Sequence, residues 1–150
     1  LPYGLPFGLD GEFRLAPPNP DEIAEARKHG RPGRDGPVAP PLNTTIGVVA
    51  TDLGMPKSSC QRLAVAGHDG LARAVRPAHA MFDGDTVFAV ATGAGGELPP
   101  AESEEWGTRR NEGCAAAADV FARAIVHAVL AAEAVGAAPT YADRYPSALR

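Results

Sequence analysis

Covalent and metal cross-linking have little to work with in this chain. It holds 2 cysteines, Cys60 and Cys114, separated too widely to make a paired ligand spacing. Both are expected as small core residues in a reduced, cytoplasmic setting. Aromatics amount to only 6% of residues, so the core must be built largely from aliphatic and alanine side chains. Basic residues are the minority, 14 against 18 acidic, and the net charge of −4 lacks the electropositive footprint of a nucleic-acid or anionic-lipid binder. Neither nucleic acid nor membrane is therefore expected as a partner. No uninterrupted run approaches the roughly 18 apolar residues of a membrane span. No signal peptide is visible, and the chain opens on Leu1 rather than methionine, so an upstream segment is expected.

Glycine and proline, by contrast, are plentiful and unevenly placed. Gly30 to Pro41 carries Gly30, Gly33, Gly36 and prolines 32, 37, 40 and 41, with Arg31 and Arg34 interspersed. Such a segment buries too little to order itself and reads as an exposed, cleavable connector. Ahead of it, Leu9-Asp10-Gly11-Glu12-Phe13 suggests a tight turn between strand fragments, because Asp-Gly favours positive φ. Pro17-Pro18-Asn19-Pro20 blocks regular structure, and Asp21 to His29 suits a short helix capped by Asn19 or Asp21.

Past the connector the pattern changes to alternating strand and helix. Ile46 to Ala50 is apolar at every position, as in a strand covered on both faces. Asn43, Thr44 and Thr45 stand at its mouth, where a hydroxyl can be held in a cleft; the same triplet also reads as a glycosylation sequon or a polar lead-in. A helix follows with Pro56 in its first turn. Its expected apolar stripe is Cys60, Leu63, Ala64, Gly67, Leu71, Ala74 and Val75, with Gly67 marking close approach to a sheet. Pro77 ends it, and His68 is expected at its boundary.

Phe82-Asp83-Gly84-Asp85-Thr86 leads into a second strand, Val87 to Thr92. Two carboxylates so close raise each other's pKa when buried, so such pairs are kept where they hold a cation, a proton or a hydrogen-bond network. A solvated Asp-Gly turn is the plainer alternative. His79 can neighbour this patch but has no metal-ligand spacing. Gly93 to Gly107 reads as a loop with a solvated run at Glu102, Glu104 and Glu105, and Trp106 as a packing anchor. Asn111 to Val135 reads as a long helix with Cys114, Ala118, Phe121, Ile125 and Val129 on one face, His127 structural, and Gly136 as its cap. The tail from Thr140 has no interpretable pattern. The expected class is α/β, strand-helix-strand-helix after residue 43; two strands alone are marginal, so partner strands must come from elsewhere.

Four ordered motifs, L-D-G-E-F at 9–13, N-T-T-I-G-V-V-A-T-D at 43–52, H-D-G-L-A-R-A at 68–74 and F-D-G-D-T-V-F-A at 82–89, resemble peptidase family S58 of N-terminal-nucleophile hydrolases. The family includes the DmpA-type and β-peptidyl aminopeptidases and the nylon-oligomer hydrolases, which the chain resembles most. The resemblance implies a layered αββα sandwich of the DmpA/ArgJ type and a precursor that cuts itself between Asn43 and Thr44. Residues 1–43 then end a large subunit, and 44–150 form a small subunit headed by the nucleophile. The hydroxyl of Thr44 is a poor nucleophile by itself, whereas the α-amino group freed by cutting, with a pKa of about 7.7–8.0, can serve it as base.

Asp83 and Asp85 match the family's acidic pair, implied to orient nucleophile and amine. No cofactor or metal is implied. The implied partners are a small amide or peptide substrate, such as a 6-aminohexanoate oligomer, the large-subunit portion of the same precursor, and further copies in a homo-oligomer. The family's larger N-terminal part, with its lysine and asparagine, has no counterpart here; Lys28 and Lys57 stand in other contexts and the oxyanion donors are unidentified. The sequence thus reads as part of a hydrolase. Two rivals stand beside it. Asp83-Gly84-Asp85-Thr86-Val87 fits the D-x-D-x-V nucleophile motif of haloacid-dehalogenase-type, Mg²⁺-dependent phosphatases, which normally ends an apolar strand. The other is a non-catalytic assembly module.

Overall fold

A computed structural model describes residues 2–28, 44–101, 103–136 and 138–149. The connector from 30 to 41 and Asn43 lie outside the described residues. β1 (Ile46–Thr51) and β2 (Thr86–Ala91) pair in parallel, with Ile46 opposite Thr86 and Thr51 opposite Ala91. Parallel neighbours cannot be joined by a tight turn. The crossover is α2 (Lys57–Ala74), with Pro56 as its N-cap residue rather than inside the first turn. The result is a mixed α/β arrangement with a small two-stranded parallel sheet, the only sheet among the described residues.

Only one face of that sheet is covered, which corrects the expectation of sandwiched strands. Val49 and Val87 point inward with Leu63, Ala66, Leu71, Ala117 and Phe121. Ile46, Val48, Phe88 and Val90 point outward, Ile46 being 71% and Phe88 56% exposed. The all-apolar run recorded two apolar faces correctly, but the described residues supply a layer for one.

Within α2 the buried positions are Ser59, Leu63, Ala66, Gly67, Gly70 and Leu71, so the inner stripe is rotated from the one expected. Cys60 and Ala64, counted in that stripe, are only half-buried. The reason is the small residues. A Cβ on Gly67 would lie 2.7 Å from Val87, and one on Gly70 would collide with the Ala118 carbonyl of α3 (Glu104–Ala131). Glycine thus lets α2 approach the sheet and α3 together, and the helix continues through His68 instead of ending near it.

α3 begins seven residues ahead of the expected Asn111, because Ser103 caps it: its hydroxyl accepts the Trp106 amide at 3.0 Å. Glu104 and Glu105, read as loop, occupy the first turn, where the helix dipole favours negative charge. Trp106 packs under the Arg110 guanidinium, 4.9 Å from the ring centre. The helix stops at Ala131, and Gly136 belongs to a later turn. By length and hydropathy α3 could span a bilayer, a property its alanines and scattered charges hide from a search for unbroken apolar runs. Ala117, Ala118, Phe121, Ala122 and Val126 form its buried face.

The N-terminal segment is tied to α3 from outside the sheet. Asp10 and Gly11 have φ of 48° and 70°, and the Glu12 amide donates to the Leu9 carbonyl at 2.8 Å, the tight turn anticipated, though without strands beside it. The turn presents Glu12 to Arg123, which donates from Nε and Nη2 at 2.8 and 3.0 Å, and to His127 at 2.6 Å. α1 (Pro20–Lys28) starts with the Asn19 side chain accepting the Asp21 amide. The tail has more order than its sequence suggested. Thr140 and Asp143 form a capping box on α4 (Tyr141–Arg144), Ser147 bonds Glu22 of α1, and Leu149 bridges Leu15.

Candidate active site

Thr44 and Thr45 precede β1, and Asp83, Gly84 and Asp85 precede β2. Because the strands are parallel and in register from Ile46 and Thr86, both polar segments fall at the same end of the sheet. Sequence separation of 40 residues is thereby closed to a hydrogen bond: the Thr45 amide donates to Asp85 Oδ1 at 3.0 Å. The Thr45 carbonyl in turn accepts the Thr86 amide at 2.8 Å. Thr45 is thus gripped at both backbone groups, and Thr44 projects from it into solvent.

The Thr44 hydroxyl sits over Gly84, with Oγ1 2.8 Å from where a Cβ at that position would lie. Any side chain there would displace it. Gly84 separates the two aspartates in sequence, so the hydroxyl lies against the turn that carries both.

The two aspartates are engaged differently. Asp83 closes its own turn: Oδ2 accepts the Ala80 amide at 2.7 Å and its amide donates to the Ala80 carbonyl at 2.9 Å. Among the described residues Asp83 makes no hydrogen bond to Thr44. Asp85 has a side chain only 7% exposed, and its second oxygen meets His79 Nδ1 at 2.9 Å. Burial pushes the Asp85 carboxyl up, but hydrogen bonds from the Thr45 amide and the His79 ring outweigh it and hold the group below its ordinary 3.8. Asp85 is therefore an ionised acceptor at neutral pH.

His79 is the residue that spacing alone did not place. It lies six residues before Asp85 with φ of 54°, and its Nε2 faces the His68 carbonyl at 3.4 Å. His68, half-buried within α2, also sets its ring 5.0 Å from that of His79. Two residues after Pro77, His79 is the neighbour of the Asp83-Gly84-Asp85 patch that the sequence suggested, and the structure supplies its partner there. Ser59, buried in the first turn of α2, has a hydroxyl without a partner among the described residues.

Asp83 and Asp85 stand ahead of β2 and not at its end, so they do not occupy the place of the phosphatase motif. A cavity of about 560 Å³ is lined by Leu5, Gly8 and residues 11–15, and none of Thr44, Asp83 or Asp85 borders it.

The sequence profile of peptidase family S58 matches residues 7–141. An uncharacterised aminopeptidase of Mycobacterium leprae (strain TN) is 49% identical over 152 residues, covering 97% of this chain and 40% of that protein. Uncharacterised aminopeptidases of Mycobacterium bovis (strain ATCC BAA-935 / AF2122/97) and Mycobacterium tuberculosis (strain ATCC 25618 / H37Rv) are each 46% identical over 152 residues, covering 97% of this chain and 43% of theirs. The chain thus spans less than half the length of these curated relatives.

Proposed function

Because the chain belongs to peptidase family S58, we propose that it carries the nucleophile half of a peptide-bond hydrolase, with Thr44 as the attacking residue. The observation that carries this reading is the Asp85–Thr45 bond: it fixes the backbone one residue after Thr44 while the hydroxyl lies over the Asp83-Gly84-Asp85 turn.

The chemistry runs in two stages. Thr44 Oγ attacks the Asn43 carbonyl carbon, the C–N bond breaks, and the acyl group moves from nitrogen to oxygen as an ester. Water opens the ester, leaving the Asn43 carboxylate and a free Thr44 amine. That amine then takes the hydroxyl proton as Oγ attacks a substrate amide, the leaving amine departs, and water releases the acyl group from Thr44. A carboxylate pair beside the site stabilises the ammonium that forms.

Aminopeptidase-like action on amino-terminal amides is the substrate class we favour, in line with the names of the relatives. Linear amides such as 6-aminohexanoate oligomers are the finer proposal from the motif resemblance. The open sheet face of Ile46, Val48, Phe88 and Val90 supports an αββα layering in which further strands cover it. Those strands belong, in this reading, to the large-subunit portion of the precursor, and the mature enzyme is a homo-oligomer.

Mass spectrometry of the full-length protein tests the reading. A fragment beginning at Thr44 is expected, lost together with turnover in Thr44→Ala and retained in Thr45→Ala. An uncut chain that hydrolyses amides would overturn it.

A further inference from the structure

The dipeptide His79–Ala80 grips both carboxylates of the site, the Ala80 amide holding Asp83 Oδ2 and the His79 ring holding Asp85 Oδ2. His79 does so from a backbone conformation, φ 54°, that side-chain-bearing residues seldom adopt. Strain of this kind persists only where the surroundings impose it. Here the surroundings are identifiable. One ring nitrogen meets Asp85, the other faces the His68 carbonyl, and the ring leans on that of His68.

Both oxygens of Asp85 are thereby engaged, Oδ1 by the Thr45 amide and Oδ2 by the His79 imidazole, with the Thr45 hydroxyl and the His79 amide also bonding the carboxylate. A carboxylate so occupied is an anchor, not a proton shuttle. Its Oδ1 holds the Thr45 amide, so any rotation of the Asp85 side chain moves the residue from which Thr44 projects. His79 is the group that stops that rotation. With the Thr45 hydroxyl and the His79 amide, the ring completes a cluster of donors around the carboxylate.

We propose that His79 is a positioning residue: by donating from Nδ1 to Asp85 Oδ2 and bracing against the His68 carbonyl, it locks the carboxylate that fixes the Thr44–Thr45 backbone. Its catalytic consequence rests on the reading of Thr44 as nucleophile, whereas its structural consequence does not. Glycine at 79 keeps the positive φ and the backbone amide that bonds Asp85, and removes only the ring donor. Asparagine also tolerates positive φ, and its amide places a donor near the position of Nδ1. The pair therefore separates backbone freedom from the hydrogen bond.

The test uses the full-length chain. Hydrogen exchange at the Thr45 amide is measured in a Thr44→Ala background, with the buried α2 and α3 amides as the internal check on folding. His79→Gly is expected to lower Thr45 protection roughly tenfold, the worth of one hydrogen bond, and His79→Asn to restore it. In the Thr44 background, His79→Gly is expected to slow the appearance of the Thr44 terminus and kcat by about 100-fold with KM little changed, again restored by His79→Asn. Unchanged Thr45 protection in the folded His79→Gly protein would overturn the proposal, as would failure of His79→Asn to restore what glycine lost. Loss of Thr45 protection in a chain that never cuts at Thr44 would uphold the positioning role and reject the nucleophile instead.

Discussion

Asp85 and Glu12 each meet an imidazole, His79 at 2.9 Å and His127 at 2.6 Å, yet the rest of their surroundings set them apart. Glu12 gives both oxygens to the Arg123 fork, a permanent cation, and its carboxyl is held down to about 2 by Arg123 first and His127 second. Asp85 is more deeply buried, 7% against 17% exposed, and hydrogen bonds from the Thr45 amide and the His79 ring outweigh the upward push of that burial. The first arrangement staples the N-terminal turn to α3. The second holds a backbone amide beside an exposed hydroxyl. A carboxylate facing a guanidinium has finished its work once the fold is made; one held by a backbone amide and a histidine can position a reacting group.

Exchanging each carboxylate for its amide should break the comparison if it is wrong. Asp85→Asn is expected to lower the rate of cutting at Thr44 and of amide hydrolysis by on the order of 100-fold, with little change in the thermal midpoint. Equal damage to stability and rate would make Asp85 a staple like Glu12. Beneath both regions lies the α2–α3 contact, where Gly70→Ala must displace the Ala118 backbone. A loss of roughly 1–3 kcal/mol in urea denaturation is expected, shared by clamp and site alike. An unchanged midpoint would show that the helices slide apart without cost.

Glu12→Gln should do the reverse of Asp85→Asn: a lower urea midpoint with cutting at Thr44 nearly unaltered. A comparable fall in cutting rate would tie the clamp to the site. The smallest effect is in acid. With its pKa depressed below the ordinary 4.5, Glu12 contributes its full stabilisation above that pH and loses it as pH falls toward 2. Asp85, lowered from 3.8, acts in the same direction. Wild-type and Glu12→Gln urea midpoints should therefore converge on acidification from roughly pH 6 to pH 3. Parallel curves would mean that the ion pair adds no net stability.

Much of this was legible beforehand where neighbours in sequence decide the outcome. Asp10-Gly11 made its turn, and Ile46 to Ala50 made a strand. Gly67 signalled close packing, and His127 was structural. The start of α3 was missed because its cap, Ser103, sits in a stretch whose charges resemble a loop. The Thr140–Asp143 capping box passed unnoticed in a short tail for want of any hydrophobic period beside it. Pairing of Asp85 with His79 rested on a single left-handed residue that no propensity reveals.

The sequence by itself determined the α/β order, the family, and the candidate residues Thr44, Asp83 and Asp85, because local periodicity and motif order are carried by residues close together in the chain. Only the tertiary structure decided which sheet face is covered and which aspartate holds Thr45. It also decided which histidine braces that aspartate. Those outcomes depend on contacts such as Thr45 with Asp85, made only after a parallel strand pair brings distant segments to one end of a sheet.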